Sequence, residues 1–522
     1  MARSLTCKTS MIIIFPSLVL IFILFTSLTQ QHHVSYLYSS SFPLHQSYVK
    51  QYFHSSPSSS TNGNLEHEPI LLKISPSPSP SPAPSTAPAP SPSSTTSSAE
   101  SSSNHDFFNE LLSNSTSSNT ATTDSTVKVI KMKTSVDKIE EGLAKARENI
   151  REAVRSRNVT TSDGRDDFIP KGADIYRNPY AFYQSHIEME KRFKVWTYKE
   201  GEQPLVHDGP VNNIYSTEGQ FIDEMESGKS LFIAKHPDEA HAFFLPFSVA
   251  NVIRYIYKPI TSFSRDRLQQ FVEDYVSVVA NRYPYWNRSS GADHFMVSCH
   301  DWSPQVSNAH PDLFKNFIRV LCNANTSEGF RPERDVTLPE INLPFGLLGQ
   351  PMISNRPSKR TILAFFAGGA HGNIRKVLLN EWRGKDNDVQ VYQYLPKNLN
   401  YYQLMGKSKY CLCASGYEVA SPRVVEAIRA ECVPVILSDS YVLPFSDVLD
   451  WSKFSVNIPV RDIPKIKEIL QAIPLRKYLQ MQNRLKQVQR HFSVNRPAKR
   501  FDVIHMVLHS VWLRRLNIGL LS

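Results

Sequence analysis

The sequence predicts an α/β protein in which two doubly wound domains facing a cleft follow an N-terminal transmembrane helix and a disordered stem. Three features carry this expectation. An unbroken apolar run lies near the start, a Ser-Pro and Ala-Pro tract follows it, and beyond Asp167 short apolar runs alternate with amphipathic stretches, the pattern of strands covered on both faces by helices. A chain of 522 residues has room for two or three domains with a large core.

Residues 1–10 carry Arg3 and Lys8 and no acid. "MIIIFPSLVLIFILFTSL", residues 11–28, then spans about 27 Å as a helix, the thickness of a bilayer core. A cleavable signal peptide has a shorter apolar segment, about 7 to 15 residues, and a small-x-small site. "TQQHHVSYLY" offers no such site, so the run reads as an uncleaved signal anchor, with residues 1–10 cytosolic and the rest lumenal. Sequons at Asn114, Asn158, Asn287 and Asn325 agree with a secretory lumen. Of six cysteines, Cys299, Cys322, Cys411, Cys413 and Cys432 follow the anchor region in the globular part; five cannot all pair, and which do is not set by spacing.

Residues 29–126 form the stem, centred on "SPSPSPSPAPSTAPAPSPS", which favours polyproline II and cannot bury a core. In residues 127–160, Val136, Ile139, Leu143, Ala146, Ile150 and Ala153 recur at spacings of three and four, which predicts a helix. The same seam offers a homodimeric coiled coil, weakened by Gly142 and the alanines.

The globular part divides into residues 167–345 and 346–522, split where Pro and Gly cluster at 344–356. "FKVWTY", "LFIAKH", "HAFFLPF" and "HFMVSC" read as strands of the first domain, and "TILAFFAG", "VQVYQYL", "YCLCAS" and "VPVILS" as strands of the second. Residues 267–283 and 373–382 read as helices. Ligands in such folds sit at the carboxyl ends of strands, against the helices that follow.

Two segments fit that place. In "TILAFFAGGAHGNIRKVLLNEW", Gly368, Gly369 and Gly372 let backbone approach a ligand, and Arg375 lies in the first turn of the next helix. In "SPRVVEAIRAECVPVILSD", Ser421 as N-cap and Pro422 at the first position predict a helix to about Glu431, with Arg423 and Glu426 on one face, just after Ser415 and Gly416. The two arginines converging on a diphosphate would offset its charge without a metal, and Glu426 suits ribose hydroxyls. A glycine turn and a surface ion pair are the plainer alternatives.

These segments, with "HPDEAHAFFLPF" and "GADHFMVSCHDWSP", resemble the exostosin family, glycosyltransferase family 47, in its plant type II Golgi branch, from about Asp174 onward. The resemblance implies a GT-B-like fold of two Rossmann-type domains, with an N-terminal acceptor-side domain and a C-terminal domain for a nucleotide sugar. It implies inverting transfer of a sugar from a donor, UDP-linked, to a cell-wall polysaccharide, in the Golgi membrane, with no cofactor. It places Arg375, Arg423 and Glu426 at the donor, where the reading of the residues adds Gly368, Gly369 and Ser415 from the adjoining loops. Glu431 stands where relatives often have glycine, and adds an acid near the site. Inverting transfer needs a base, and Asp301 or His300, after the strand "HFMVSC", is the candidate, with a capping turn as the structural alternative. Asp293 and His294 read as structural, and Asp238, Glu239 and His241 as a turn. A non-catalytic donor- or glycan-binding scaffold of a synthase complex fits the same donor motifs.

"KDNDV" contains a D-x-D at Asp386 and Asp388, but before a strand rather than after one, so it reads as a solvated turn and no metal is expected. A net charge of +10 and a pI near 9.1 invite a nucleic-acid partner, yet no zinc-finger spacing, basic repeat or aromatic RNA-binding motif accompanies them; an anionic donor accounts for the charge equally well. Nor does a convincing pair of hydrolytic carboxylates emerge.

Overall fold

The computed structural model describes residues 133–159, 174–257, 263–348 and 354–520. The expected signal anchor, the Pro-rich stem and Asn114 lie outside them, and among the described residues no helix is long and apolar enough to cross a membrane.

After helices α1 (Ser135–Ser156) and α2 (Pro179–Arg192), a five-stranded sheet forms from β1 (Val195–Thr197), β2 (Ala242–Phe244), β3 (His294–Ser298), β4 (Ile318–Leu321) and β5 (Val336–Thr337), in that spatial order. Every pairing is parallel, joined by crossovers that include α3 (Ser216–Glu226), α4 (Val249–Ile256) and α5 (Asp266–Arg282). A second parallel sheet has the order β10-β9-β8-β6-β7, built from β6 (Ile362–Ala367), β7 (Val389–Tyr392), β8 (Ser408–Ala414), β9 (Val433–Leu437) and β10 (Val456–Asn457). Its helices are α6 (Gly372–Trp382), α7 (Tyr401–Lys407), α8 (Arg423–Arg429), α9 (Ile466–Gln471) and α10 (Leu475–Val488). From β6 the chain goes to β7 on one side and then to β8 on the other, so the strand order reverses between β6 and β8. That reversal opens a crevice at their carboxyl ends.

The expected strands form, with one exception. "LFIAKH" makes a single bridge, Ile233 to Val195, because beyond Ala234 the amides of Lys235 and His236 donate to the Glu239 carboxylate instead. Sequence patterning passed over β4, whose apolar run is interrupted by Arg319, a buried guanidinium held by Asp335, and over β5 and β10, each of two residues. Helix α8 begins at Arg423, not at Ser421; Pro422 is the cap residue and the Ser421 hydroxyl turns to the Arg423 amide and side chain.

Helix α1 is capped by Thr134 and Asp137 in a reciprocal pair and buries Ile139, Leu143, Ala146 and Ala153. The seam available for a coiled coil is consumed within the chain, against α2. Asn149 donates to Glu188 at 2.8 Å, and Arg147 donates to the Leu516 carbonyl at 2.8 Å. Arg515 reaches both Glu140 and the His241 carbonyl, so α11 (Val503–Leu516), the last helix, packs on α2, β2 and β5 of the first layer. Two disulfides form, Cys299–Cys322 and Cys411–Cys432, and Cys413 remains a buried thiol.

Glu431 takes a left-handed φ of 51°, the conformation that glycine occupies without strain, and its carboxylate accepts from Gln482 on α10. It lies at the start of β9, the end opposite the crevice, so it adds no acid to the site.

Where α2 meets α11, the imidazoles of His186 and His509 stack at 4.1 Å, with His491 and His505 nearby, and neither ring nitrogen of His186 finds a hydrogen-bond partner among the described residues. Burial holds His505 and His509 down to about 4 and His491 to about 3. At these rings the unfolded chain therefore binds more protons, so the stability they contribute is complete above about pH 6.5 and falls as the pH drops below it. Urea midpoints at pH 7.5 and pH 5 should differ, with the lower one at pH 5; equal midpoints would mean that these rings do not couple folding to protons.

Candidate active site

Two arginines cross over at the reversal between β6 and β8. Arg375, on the helix after β6, sends its guanidinium to the last residue of β8, where Nε donates to the Ala414 carbonyl at 3.1 Å. Arg423, on the helix after β8, reaches back to the last residue of β6, donating to the Ala367 carbonyl at 3.2 and 2.8 Å and lying over the Phe366 ring. Neither forms an ion pair among the described residues. Burial, and then the Arg423 charge, lower Arg375 to about 10. Two neighbouring guanidiniums with no ion-pair partner among the described residues, at the ends of central parallel strands, have the charge to take a doubly charged anion.

Glycines make this crossing sterically open. A Cβ at Gly368 would come within 2.3 Å of the Arg423 guanidinium, and one at Gly416 within 2.9 Å of that of Arg375. Gly369 lies against the His371 ring in the same loop. Ser415 spends its hydroxyl on the Val419 carbonyl and its amide on Leu437, so it shapes the loop. Glu426 accepts from the Tyr401 hydroxyl at 2.8 Å, and burial raises its pKa.

Across the crevice, the first turn of α3 assembles the other wall. Tyr215 donates to Asp301 Oδ1 at 3.2 Å, Ser216 to the Ile341 carbonyl at 2.6 Å and Thr217 to that of Pro339 at 3.4 Å. The fully buried Glu218 accepts from the Ser298 hydroxyl at 2.6 Å, the Cys299 amide at 3.0 Å, the Ala250 amide at 3.1 Å and the Ser248 hydroxyl. Asp301 and Glu340 are thereby held by one helix turn, although they follow different strands. Cys299–Cys322 ties the ends of β3 and β4, and Asn323 bonds both the Asp301 carbonyl and, at 2.6 Å, Glu418 of the opposite domain.

Burial, and then Asp301, push Glu340 up to about 8 and Glu418 to about 7; burial also raises Asp301. His300 differs in kind. Its Nδ1 accepts the Trp302 amide at 3.1 Å, and burial lowers it to about 3. With that lone pair engaged, the imidazole caps a turn. Asp293 and His294, bonded to each other and to Arg288 and Tyr198, lie at the other end of β3 and hold it in place. Asp386 and Asp388 both pair with Lys467 ahead of β7.

Sequence reasoning missed Glu340, Glu418 and the α3 turn. Glu340 carried a faint signal as the sole charge in "TLPEINLPF". Of the sequons, Asn158 and Asn287 are exposed, whereas Asn325 is 7% exposed and its amide donates to Glu328.

A family description of the exostosin GT47 domain matches residues 175–473. The chain belongs to the exostosin GT47 family. It is similar to two proteins of Arabidopsis thaliana, the probable glycosyltransferases At5g25310 (52% identity, 73% of this chain and 79% of the relative) and At5g03795 (53%, 73% of each). It is also similar, at 27% identity over 53% of this chain and 70% of the relative, to the probable beta-1,4-xylosyltransferase IRX10 of the same plant. Among solved structures, Anabaena HepE, in complex with UDP and glucose, aligns over 60% of this chain and 97% of its own at 10% identity, with a TM-score of 0.31. This member of GT47 is a glycosyltransferase enzyme of mixed α/β architecture with two parallel sheets.

Replacing Gly368 with alanine should displace the Arg423 guanidinium while leaving the fold intact. Anion affinity, read as the Kd for UDP by calorimetry, should weaken about tenfold or more, the loss of one charge-assisted hydrogen bond; an unchanged Kd would show that this guanidinium does not hold phosphate.

Proposed function

We propose that this glycosyltransferase moves a sugar, with inversion, from a UDP-sugar to a cell-wall polysaccharide, as a single-pass type II protein of the Golgi membrane whose described residues are lumenal. The observation that carries the donor assignment is the crossed, unpaired arginine pair at the β6/β8 reversal. Glucuronosyl- and xylosyltransferases among the relatives support a polysaccharide acceptor. The apolar run at residues 11–28 supports the anchor, and the exposed Asn158 and Asn287 are the sequons open to a glycan.

With the diphosphate on Arg375 and Arg423, the donor's anomeric carbon faces the wall that carries Asp301. An acceptor hydroxyl attacks that carbon from the Asp301 side, its proton passes to the carboxylate, and the bond from carbon to phosphate oxygen breaks. The electron pair leaves with UDP, whose growing charge the guanidiniums stabilise. Asp301 suits the base role because Tyr215 takes only Oδ1. The two guanidiniums supply the charge that a divalent metal provides elsewhere, so we propose no metal requirement.

Full-length protein should bind UDP, and Arg375→Ala or Arg423→Ala should each weaken binding roughly ten- to a hundredfold. Asp301→Asn should retain UDP binding but lose on the order of a hundredfold or more in kcat, and EDTA should leave transfer unchanged. UDP binding with no transfer to any polysaccharide would point instead to a donor-binding scaffold, and rescue by manganese after EDTA would overturn the metal-free mechanism.

A further inference from the structure

Resting on that donor site, we propose that the transferred sugar is uncharged, a neutral hexose or pentose and not a uronic acid, because Glu340 lies within electrostatic reach of both the arginine pair and Asp301. The sugar is tethered to the diphosphate and must present its anomeric carbon to the base, so it occupies that space. Glu340 borders it: this side chain is 8% exposed, lies within electrostatic reach of Asp301, Arg375, Arg423 and Glu426, and accepts no hydrogen bond among the described residues. Its backbone is clamped on both sides, at Pro339 and Ile341, by Thr217 and Ser216, which fixes where the side chain starts. Glu418, held by Asn323, adds a carboxyl that also lies within reach of Asp301.

The cations nearby have other work. Arg375 and Arg423 are taken by the diphosphate. Arg265, on the acceptor side, stacks on Trp302 at 3.8 Å and donates to Gln305 and the Phe263 carbonyl. The His371 imidazole is held below its ordinary pKa by burial and by the two arginines, and so stays neutral. A uronate would bring one more carboxylate to a place where those present already resist ionisation. Once Glu340 is ionised, two unit charges about 5 Å apart at an effective dielectric near 20 repel by on the order of a hundredfold in affinity. A neutral sugar meets no such barrier, and its hydroxyls can bond the same carboxyls.

The test is a set of matched donors on full-length protein at pH 9, where Glu340 is ionised, with Kd from calorimetry. UDP-glucose is compared with UDP-glucuronic acid, and UDP-galactose with UDP-galacturonic acid, pairs that differ in one carboxylate, with UDP as control. The uronate of each pair should bind at least about tenfold more weakly than its neutral partner. Across pH 7 to 9 the ratio should widen as Glu340, facing Asp301, Arg375, Arg423 and Glu426, loses its proton near pH 8, and Glu340→Gln should remove that widening. A uronate that binds as tightly as its neutral partner, or more tightly, would overturn the proposal, as would a ratio in Glu340→Gln that widens as it does in the natural protein. Failure to bind UDP itself would be a different result, overturning the donor site and this inference with it.

Discussion

Glu218 is fully buried, yet four donors converge on its carboxylate, from the cap of α4 and from the end of β3. Such a group is costly to bury and costly to leave unsatisfied, so the four bonds stand or fall together. They fix the first turn of α3 against the carboxyl end of the first sheet. Three consecutive side chains of that turn, Tyr215, Ser216 and Thr217, then distribute the constraint to Asp301 and to both flanks of Glu340. Two carboxyls from separate strand ends are thus held by one rigid element, which is what a reacting geometry requires. The Cys299–Cys322 bridge reinforces the same strand ends.

The opposite wall follows another logic. Each arginine is aimed by a strand-end carbonyl belonging to the other's βα unit, so the pair forms only when β6 and β8 are adjacent. Topology, not sequence proximity, brings the two guanidiniums together, and glycine at 368 and 416 leaves room for them. Guanidiniums stand at the strand ends of the second sheet, and Asp301 and Glu340 at those of the first. A diphosphate and an acceptor hydroxyl need those two environments.

Much of this was legible from the residues alone. Continuous apolar runs such as "VPVIL" and "YCLCA" gave the buried parallel strands, since both faces of each are covered. Arg375, Arg423 and the glycines were visible because helix starts after strands are where anions bind. What could not be read depends on contacts distant in sequence. Arg319 disguised β4 because its neutralising partner lies sixteen residues on. The α1 seam was plain, but nothing local said that α2 would fill it. Glu340 belongs to no motif, and its electrostatic setting comes from neighbours at positions 301, 375 and 423. His300 and Asp301 were indistinguishable until the Trp302 amide was seen to occupy the imidazole.

The most direct measurement is a structure of the protein with UDP bound. Phosphate oxygens within hydrogen-bonding distance, about 3 Å, of both the Arg375 and Arg423 guanidiniums at the ends of β6 and β8 are the expected result. A diphosphate seated elsewhere, with the two guanidiniums still on the Ala367 and Ala414 carbonyls and no anion between them, would contradict the central claim.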